Sequence, residues 1–276
     1  MMENATRIAE NVAEIRGRID DAAGRSGRTA DAVTLVAVTK YVPVDVVRLV
    51  VQAGCRDLGE SRPQQLWERA DELAALPIRW HLIGHMQRNK VRRTLPLVTL
   101  LHSVDSPRLL AAIDEELAAK GTEVQQERTE VGKEGTEVVA AEESPLIKEF
   151  PRQPPLSPSR QVSLPVLLEV NISGDASKHG FAPDEIAPFL TTAANYRHVS
   201  IRGLMGMSSL EGDLDDARRE FAALRELRDR LRPNCPPGVA LDELSMGMSG
   251  DFVPAIEEGA TIVRIGSALF EGVAPS

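Results

Sequence analysis

The chain has 276 residues, a formal net charge of −9, and 42% hydrophobic and 26% charged residues. This composition is typical of a soluble globular protein, and the negative balance argues against a nucleic-acid binder that relies on overall positive charge. Cys55 and Cys235 are its two cysteines, so no disulfide framework is expected, and no apolar run approaches the roughly 20 residues of a membrane span. We expect a cytoplasmic protein.

The first segment, MMENATRIAENVAEIRGRI, is amphipathic. Ile8, Val12, Ile15 and Ile19 recur at helical spacing with charged residues between them. The pattern predicts a helix that ends near Gly24, and the segment is too charged to be a secretory signal.

Strand-like and helix-like segments alternate after this helix. The eight candidate strands are Val33–Val38, Arg56–Gly59, Arg79–Gly84, Val98–His102, Pro165–Asn171, Ser200–Gly203, Leu241–Ser245 and Thr261–Ile265. The helical patterns between them are Val44–Ala53, Pro63–Leu76, a short stretch after Gln87, a longer one from Ser106, and then Pro183–Tyr196, Asp213–Leu231 and Asp251–Glu258.

Alternation of this kind predicts a parallel α/β sheet. Eight units in a chain of this length favour a single-domain (β/α)₈ barrel of the TIM type, residues 1–276, with an extra N-terminal helix. A doubly wound open sheet is the alternative. Such a sheet more often carries a Gly-rich phosphate loop after its first strand, and Thr39-Lys40-Tyr41 is not one.

Residues 121–163 interrupt the alternation. They lack apolar periodicity, repeat TEV at Thr122, Thr129 and Thr136, and end in a Pro/Ser-rich run from Pro151 to Ser159. Because so little apolar content cannot build a core, we expect a disordered or loop insertion between the fourth and fifth units.

Lys40, in VTLVAVTKYVP, closes the first candidate strand. Taken alone, it most simply marks the point where the strand reaches water. Two Gly-Ser turns change this interpretation: SMGMSGD, with Ser249, and RIGSALF, with Gly266 and Ser267, follow strands seven and eight. Barrels of this type commonly bind phosphate there, and strand eight adjoins strand one. A lysine beside a bound aldehyde can form a Schiff base, and pyridoxal 5′-phosphate carries both an aldehyde and a phosphate.

Five motifs carry a family resemblance: VTLVAVTKYVP, WHLIGHMQRNK, LEVNISGDASKHGF, GLMGMS and LSMGMSGDFVPAIEEGATIVRIGSALF. In this order they resemble the pyridoxal phosphate homeostasis protein family, from the first helix to about Gly272, apart from the insertion. The resemblance implies a single-domain barrel like the N-terminal domain of bacterial alanine racemase. It also implies a Schiff base of pyridoxal 5′-phosphate on Lys40.

The resemblance further assigns the phosphate contacts to Ser249, Gly266 and Ser267, and a contact near the pyridine nitrogen to Arg264. The other candidate cofactor-binding residues are Ser61, which stands where the family commonly has Asn in a GEN motif, His81 on strand three, and Ser245 at the end of strand seven. His81 and His85 lie on a strand and its exit, where they need not converge, so no metal site is expected.

Two functions remain open. In the first, a monomer holds pyridoxal 5′-phosphate and buffers it, or delivers it to apo-enzymes, in vitamin B6 homeostasis without substantial turnover. In the second, it is an amino-acid racemase of the alanine racemase type, which needs acid/base groups on both cofactor faces. In alanine racemase a tyrosine from a second domain serves one face. This chain ends at Ser276, shortly after strand eight, and Tyr41 should point away from Lys40 if the strand alternation continues. We therefore favour the first function.

Overall fold

The structure, a computed structural model, describes residues 2–131, 163–175, 179–209 and 211–274. Across these residues the sheet is a closed parallel barrel in the order β1 to β8. Its strands are β1 Thr34–Val38, β2 Asp57–Glu60, β3 Arg79–Leu82, β4 Val98–Val104, β5 Leu164–Glu169, β6 Val199–Met205, β7 Val239–Ser245 and β8 Ile262–Ile265. The predicted TIM-type barrel is confirmed, and the open sheet is excluded because β1 pairs with β8.

The helices surround the barrel, and all but the first come after a strand in the chain. They are α1 Met2–Arg25, α2 Val44–Gln52, α3 Pro63–Glu72, α4 Val91–Thr94, α5 Pro107–Val131, α6 Pro183–Ala193, α7 Leu214–Leu231 and α8 Phe252–Glu257. The predicted N-terminal helix is therefore present, before β1. No helix in the described ranges is long and apolar enough to cross a membrane.

The expected insertion at 121–163 overlaps α5. Because α5 extends to Val131, residues 121–131 continue this helix, where the sequence predicted a loop. Residues 132–162 lie outside the described residues, and the insertion stays a prediction there.

The barrel closes through four parallel pairs between β1 and β8, from Thr34↔Ile262 to Ala37↔Ile265. This register brings the loop after Val38 next to the loop after Ile265. Functional groups at the carboxyl ends of the first and last strands therefore share one edge of the barrel.

The barrel interior is apolar in part. A cluster separate from the main core contains Val36, Leu100, Leu167, Met205 and Ile262, one residue from each of five strands. The larger cluster packs between the strands and the surrounding helices, as expected for this architecture.

Polar residues also point inward: His81, His102, Ser245 and Arg264 are all at most 5% exposed. The barrel interior therefore has a polar component beside its apolar one.

Helix α1 ties the first element to the last. Asn11 Nδ2 donates to the carbonyls of Leu269 (3.0 Å) and Glu271 (2.9 Å). Asn4 Nδ2 donates to the carbonyl of Ala274 and its Oδ1 accepts from the Ala274 N–H, both at 3.2 Å. Since Asn11 is buried, these bonds fix the chain after β8 against α1.

Candidate functional site

A cavity of about 550 Å³ lies at the carboxyl ends of β1, β2, β7 and β8. This volume is within the roughly 300–1,000 Å³ of small-molecule sites. Six of the predicted residues line it: Lys40, Ser61, Ser249, Arg264, Gly266 and Ser267. The apolar part of its wall comes from Val38, Val42, Ile83, Met207, Met248 and Phe270. The remaining two predicted residues, His81 and Ser245, do not line it.

The loop that carries Lys40 is held from below by Arg69 of α3. Arg69 Nη1 donates to the Thr39 carbonyl and to Glu60 Oε1, and its Nη2 donates to the Val42 carbonyl, all at 2.6 Å. Burial raises the pKa of Glu60, against the opposing hydrogen bond from Thr39 and the charge of Arg69. One buried guanidinium thus spans the backbone on both sides of Lys40.

Lys40 and Tyr41 face each other. Lys40 Nζ lies 4.7 Å from the centroid of the Tyr41 ring, a cation–π distance. Tyr41 was expected to point away from Lys40 if the strand alternation continued, but β1 ends at Val38 and the alternation does not extend to these residues. Gln65 Nε2 donates to the Lys40 carbonyl at 2.7 Å and fixes the backbone of this loop.

The turns after β7 and β8 are joined through one hydroxyl. Ser249 Oγ accepts from the N–H groups of Gly266 (3.1 Å) and Ala268 (3.3 Å). Gly247 allows the first turn: its φ is +91°, and a Cβ there would lie 2.6 Å from the Cβ of Ala255. The two Gly-Ser turns predicted from sequence therefore form one surface.

Arg264 is the buried charge beneath this surface. It is 4% exposed; its Nη1 donates to Ser245 Oγ at 2.6 Å and its Nη2 to the Gly206 carbonyl at 3.0 Å. Burial lowers the pKa of Arg264 to about 10, against the opposing charges of Asp251 and Glu169. The guanidinium still carries its positive charge at neutral pH.

His81 and Ser245 lie below the cavity. Ser245 contacts Arg264 directly, and His81 is connected to Arg264 through His102 and Ser245. Ser245 Oγ lies 2.8 Å from His102 Nδ1, and His102 Nε2 lies 2.9 Å from His81 Nδ1. His102, at the predicted end of the fourth strand, was missed as a candidate. Its inward position could have been found only from the register of β4.

The comparisons with known proteins agree on one family. The model of the alanine racemase N-terminal domain matches residues 132–274. A pyridoxal phosphate homeostasis protein of Pseudomonas aeruginosa is 35% identical over 263 residues, 95% of this chain and 94% of the relative. One of Aquifex aeolicus is 33% identical over 95% of this chain and 96% of its own length. The chain belongs to the pyridoxal phosphate homeostasis protein family.

Solved structures extend this comparison. PipY of Synechococcus elongatus with pyridoxal phosphate (PLP) bound has a TM-score of 0.71 and 28% identity, and the match covers 95% of this chain and 99% of PipY. Alanine racemase of Clostridium difficile has a TM-score of 0.66 and 12% identity, over 98% of this chain but 58% of the racemase. The racemase match shows a shared fold.

A second group of polar side chains follows β3, β4 and β5 at the same end of the barrel. His85, Asp105 and His179 each bring one potential ligand atom within 4.8 Å of the others. The two imidazole rings stack with centroids 4.5 Å apart and an interplanar angle of 18°. Ring-nitrogen lone pairs lie in the ring planes, so nearly parallel rings do not direct them at one ion. His85 instead pairs with Asp105, at 2.8 Å.

Proposed function

We propose that this chain holds pyridoxal 5′-phosphate through a Schiff base between Lys40 Nζ and the cofactor aldehyde, and that it serves vitamin B6 homeostasis. The observation that carries the proposal is the cavity itself, where a lysine amine, a buried guanidinium and two joined Gly-Ser turns converge. These groups match an aldehyde, a ring nitrogen and a phosphate on one small molecule. PipY with PLP bound, a structure related over nearly the whole chain, supports the same ligand.

Ser249, Gly266 and Ser267 would hold the phosphate. The Ser249 hydroxyl uses its lone pairs to accept two backbone N–H groups, which leaves its own proton to donate to a phosphate oxygen. Such hydrogen bonds to an ionised acceptor are about twice as strong as bonds between neutral groups.

Arg264 would face the ring nitrogen. Its guanidinium remains protonated at neutral pH, so it donates to the ring nitrogen and leaves that nitrogen without a proton of its own. Bound PLP supplies an electron sink, and an unprotonated ring nitrogen weakens it. The residue present here therefore favours holding the cofactor over carbanion chemistry.

Reduction of the purified protein with borohydride tests the Schiff base. We expect peptide mass spectrometry to find the reduced cofactor on Lys40 and none on Lys40→Ala. Lys90→Ala is the matched control, because Lys90 Nζ lies near the Trp67 ring, outside the cavity. A protein that takes up no pyridoxal phosphate, or a label that stays after Lys40→Ala, contradicts the proposal.

The contact between Lys40 and Tyr41 is the one observation that favours racemase activity, since a lysine and a tyrosine are suitable acid/base groups. Tyr41 is 85% exposed, which exposes its hydroxyl to water. We expect no appreciable D-alanine when the loaded protein is incubated with L-alanine. Turnover that Tyr41→Phe abolishes would establish the racemase instead.

Buffering and delivery are separate parts of the proposal. Mixing the loaded protein with an apo-enzyme that depends on PLP should restore that enzyme's activity. A phosphatase that destroys free pyridoxal phosphate separates direct transfer, which survives it, from release into solution. Light scattering on the loaded protein alone tests whether it is the expected monomer.

A further inference from the structure

A chain of hydrogen bonds crosses the barrel interior from Asp57 to Arg264. Asp57 Oδ1 lies 3.1 Å from His81 Nε2, and His81 Nδ1 lies 2.9 Å from His102 Nε2. His102 Nδ1 lies 2.8 Å from Ser245 Oγ, which lies 2.6 Å from Arg264 Nη1. All five residues are at most 9% exposed. They come from β2, β3, β4, β7 and β8, so the chain joins strands on different sides of the barrel.

The two ends of the chain have fixed roles. Arg264 can only donate, because a guanidinium has no acceptor. At the other end, burial opposes ionisation of Asp57, but hydrogen bonds from Arg79 and His81 lower its pKa to about 2. Asp57 is therefore an ionised acceptor at neutral pH. The chain thus has a donor, Arg264, at one end and an acceptor at the other, and the three groups between them can each donate and accept.

If both imidazoles are neutral, these ends assign every proton between them. Ser245 accepts from Arg264 and donates its hydroxyl proton to His102 Nδ1. His102 then carries its proton on Nε2 and donates to His81 Nδ1, and His81 carries its proton on Nε2 and donates to Asp57. In this arrangement each of the four bonds has one donor and one acceptor.

The main alternative is a charged His81, which would donate from both ring nitrogens. His102 would then carry its proton on Nδ1, and both it and Arg264 would donate to Ser245 Oγ. A second positive charge would also lie in the same interior as Arg264. Burial, together with the charge of Arg264, lowers the pKa of His102 well below its usual value, so His102 itself does not take a second proton.

We propose that Asp57 is a positioning residue for Arg264, acting through the Nε2–H forms of His81 and His102 and through the hydroxyl of Ser245. Asp57 begins β2, at the end of the barrel opposite the cavity, where it borders a second cavity of about 330 Å³ with Arg79 and His81. The ionised carboxylate there determines whether His102 accepts the Ser245 hydroxyl proton or donates to Ser245 Oγ, the atom that accepts from Arg264. The part of this proposal that concerns the cofactor rests on the proposed function.

Nitrogen-15 NMR of the full chain, without cofactor, tests the proton assignment. Five histidines are present, and His85→Gln, His179→Gln and His198→Gln would identify the signals of the two buried rings. We expect His81 and His102 to be neutral with the proton on Nε2 at neutral pH. A charged ring, or a proton on Nδ1 of either ring, overturns the proposal whether or not Lys40 binds an aldehyde.

Asp57→Asn tests the coupling to Arg264. An amide offers a donor as well as an acceptor, so we expect a second His102 form with the proton on Nδ1. The probe is 4-deoxypyridoxine 5′-phosphate, which has the ring and the phosphate but no aldehyde. Its Kd should rise about tenfold, the equivalent of one weakened hydrogen bond to a charged group.

Glu243→Gln is the matched control, because it also changes a carboxylate to an amide. Glu243 borders the same second cavity, but its carboxylate accepts from Thr261 Oγ1, at 2.6 Å, and it is not a member of the chain. We expect it to keep the His102 signal and the Kd of the natural protein. An Asp57→Asn protein with both values unchanged refutes the positioning role. If that variant does not fold, the NMR result on the natural protein still decides the proton assignment.

Discussion

Replacing Arg69 with methionine should destabilise the protein strongly and in a pH-dependent way. The Arg69 and Glu60 side chains are 7% and 0% exposed and 2.6 Å apart. Within the described part of the chain, Glu60 Oε2 has no hydrogen-bond partner, so the carboxylate depends on its Oε1 contacts. Methionine has a similar length, which limits the cavity left behind, but it leaves Glu60 without its ion-pair partner.

The expected loss is about 3–5 kcal/mol of unfolding free energy, the usual result of removing one partner of a buried ion pair. Two backbone carbonyls, those of Thr39 and Val42, also lose a donor. Since these carbonyls flank Lys40, we expect the variant to bind pyridoxal phosphate more weakly where it remains folded.

The pH dependence follows from Glu60. Burial already raises its pKa above the reference 4.5, and loss of Arg69 raises it further. A carboxyl with a raised folded-state pKa stabilises the fold below its unfolded pKa and loses that contribution as pH rises through the folded value. The deficit of Arg69→Met should therefore be largest at about pH 8 and smaller at about pH 5.

Urea unfolding, followed by the fluorescence of the two tryptophans, measures these differences. Arg62→Met is the control: Arg62 is an exposed arginine next to the same helix, and its loss should change stability by less than about 0.5 kcal/mol. Glu60→Gln combined with Arg69→Met should recover most of the loss. A deficit below about 1 kcal/mol at about pH 8, or one independent of pH, would refute the reasoning.

Three further predictions each concern the replacement of one residue. Gly203→Ala should give insoluble protein on expression, because the new Cβ would lie 1.9 Å from the carbonyl oxygen of Glu243 on the neighbouring strand; a soluble protein with the natural melting temperature would contradict this. Asp57→Asn should lower the free energy of unfolding by about 2 kcal/mol at neutral pH, since the folded pKa near 2 lies below the usual 3.8; this difference should disappear as pH falls from about 4 to about 2, and a constant difference in acid titrations would contradict it. Ser249→Ala removes the hydroxyl that would donate to the phosphate and that joins the two turns through the N–H groups of Gly266 and Ala268. It should raise the Kd for pyridoxal phosphate about tenfold in equilibrium dialysis, whereas Ser249→Thr, which keeps the hydroxyl, should retain tighter binding.

Much of the barrel could be predicted because most of its strands contain a short apolar run between helical patterns, although β2 reads DLGE. The predicted ends differ from the observed ones by a few residues. For example, β4 continues past His102 to Val104, and β3 stops at Leu82 rather than Gly84. Strand ends are set by pairing with neighbours, which a single segment does not reveal.

The cavity residues were predictable for a related reason. In a parallel barrel all strand ends of one kind meet, so Lys40 and the turn at Gly266 had to share an edge once β1 and β8 were neighbours. The layer beneath was not predictable. Whether His102 points inward depends on the strand register, and a shift of one residue would reverse it. Arg69 lies three residues after Leu66 and four before Leu73, on the buried face of α3, but the sequence does not reveal which acceptors it would meet there.

The order of the chain determines when the cavity can exist. Lys40 belongs to the first unit, whereas Ser249 and Gly266 belong to the seventh and eighth, and helix α1 is fixed by bonds to the segment after β8. During synthesis the lysine leaves the ribosome long before the turns that would hold a phosphate. A growing chain therefore presents the amine without its pocket, and only a completed barrel can hold a ligand against it. If the proposed function holds, capture of the cofactor is a property of the finished barrel.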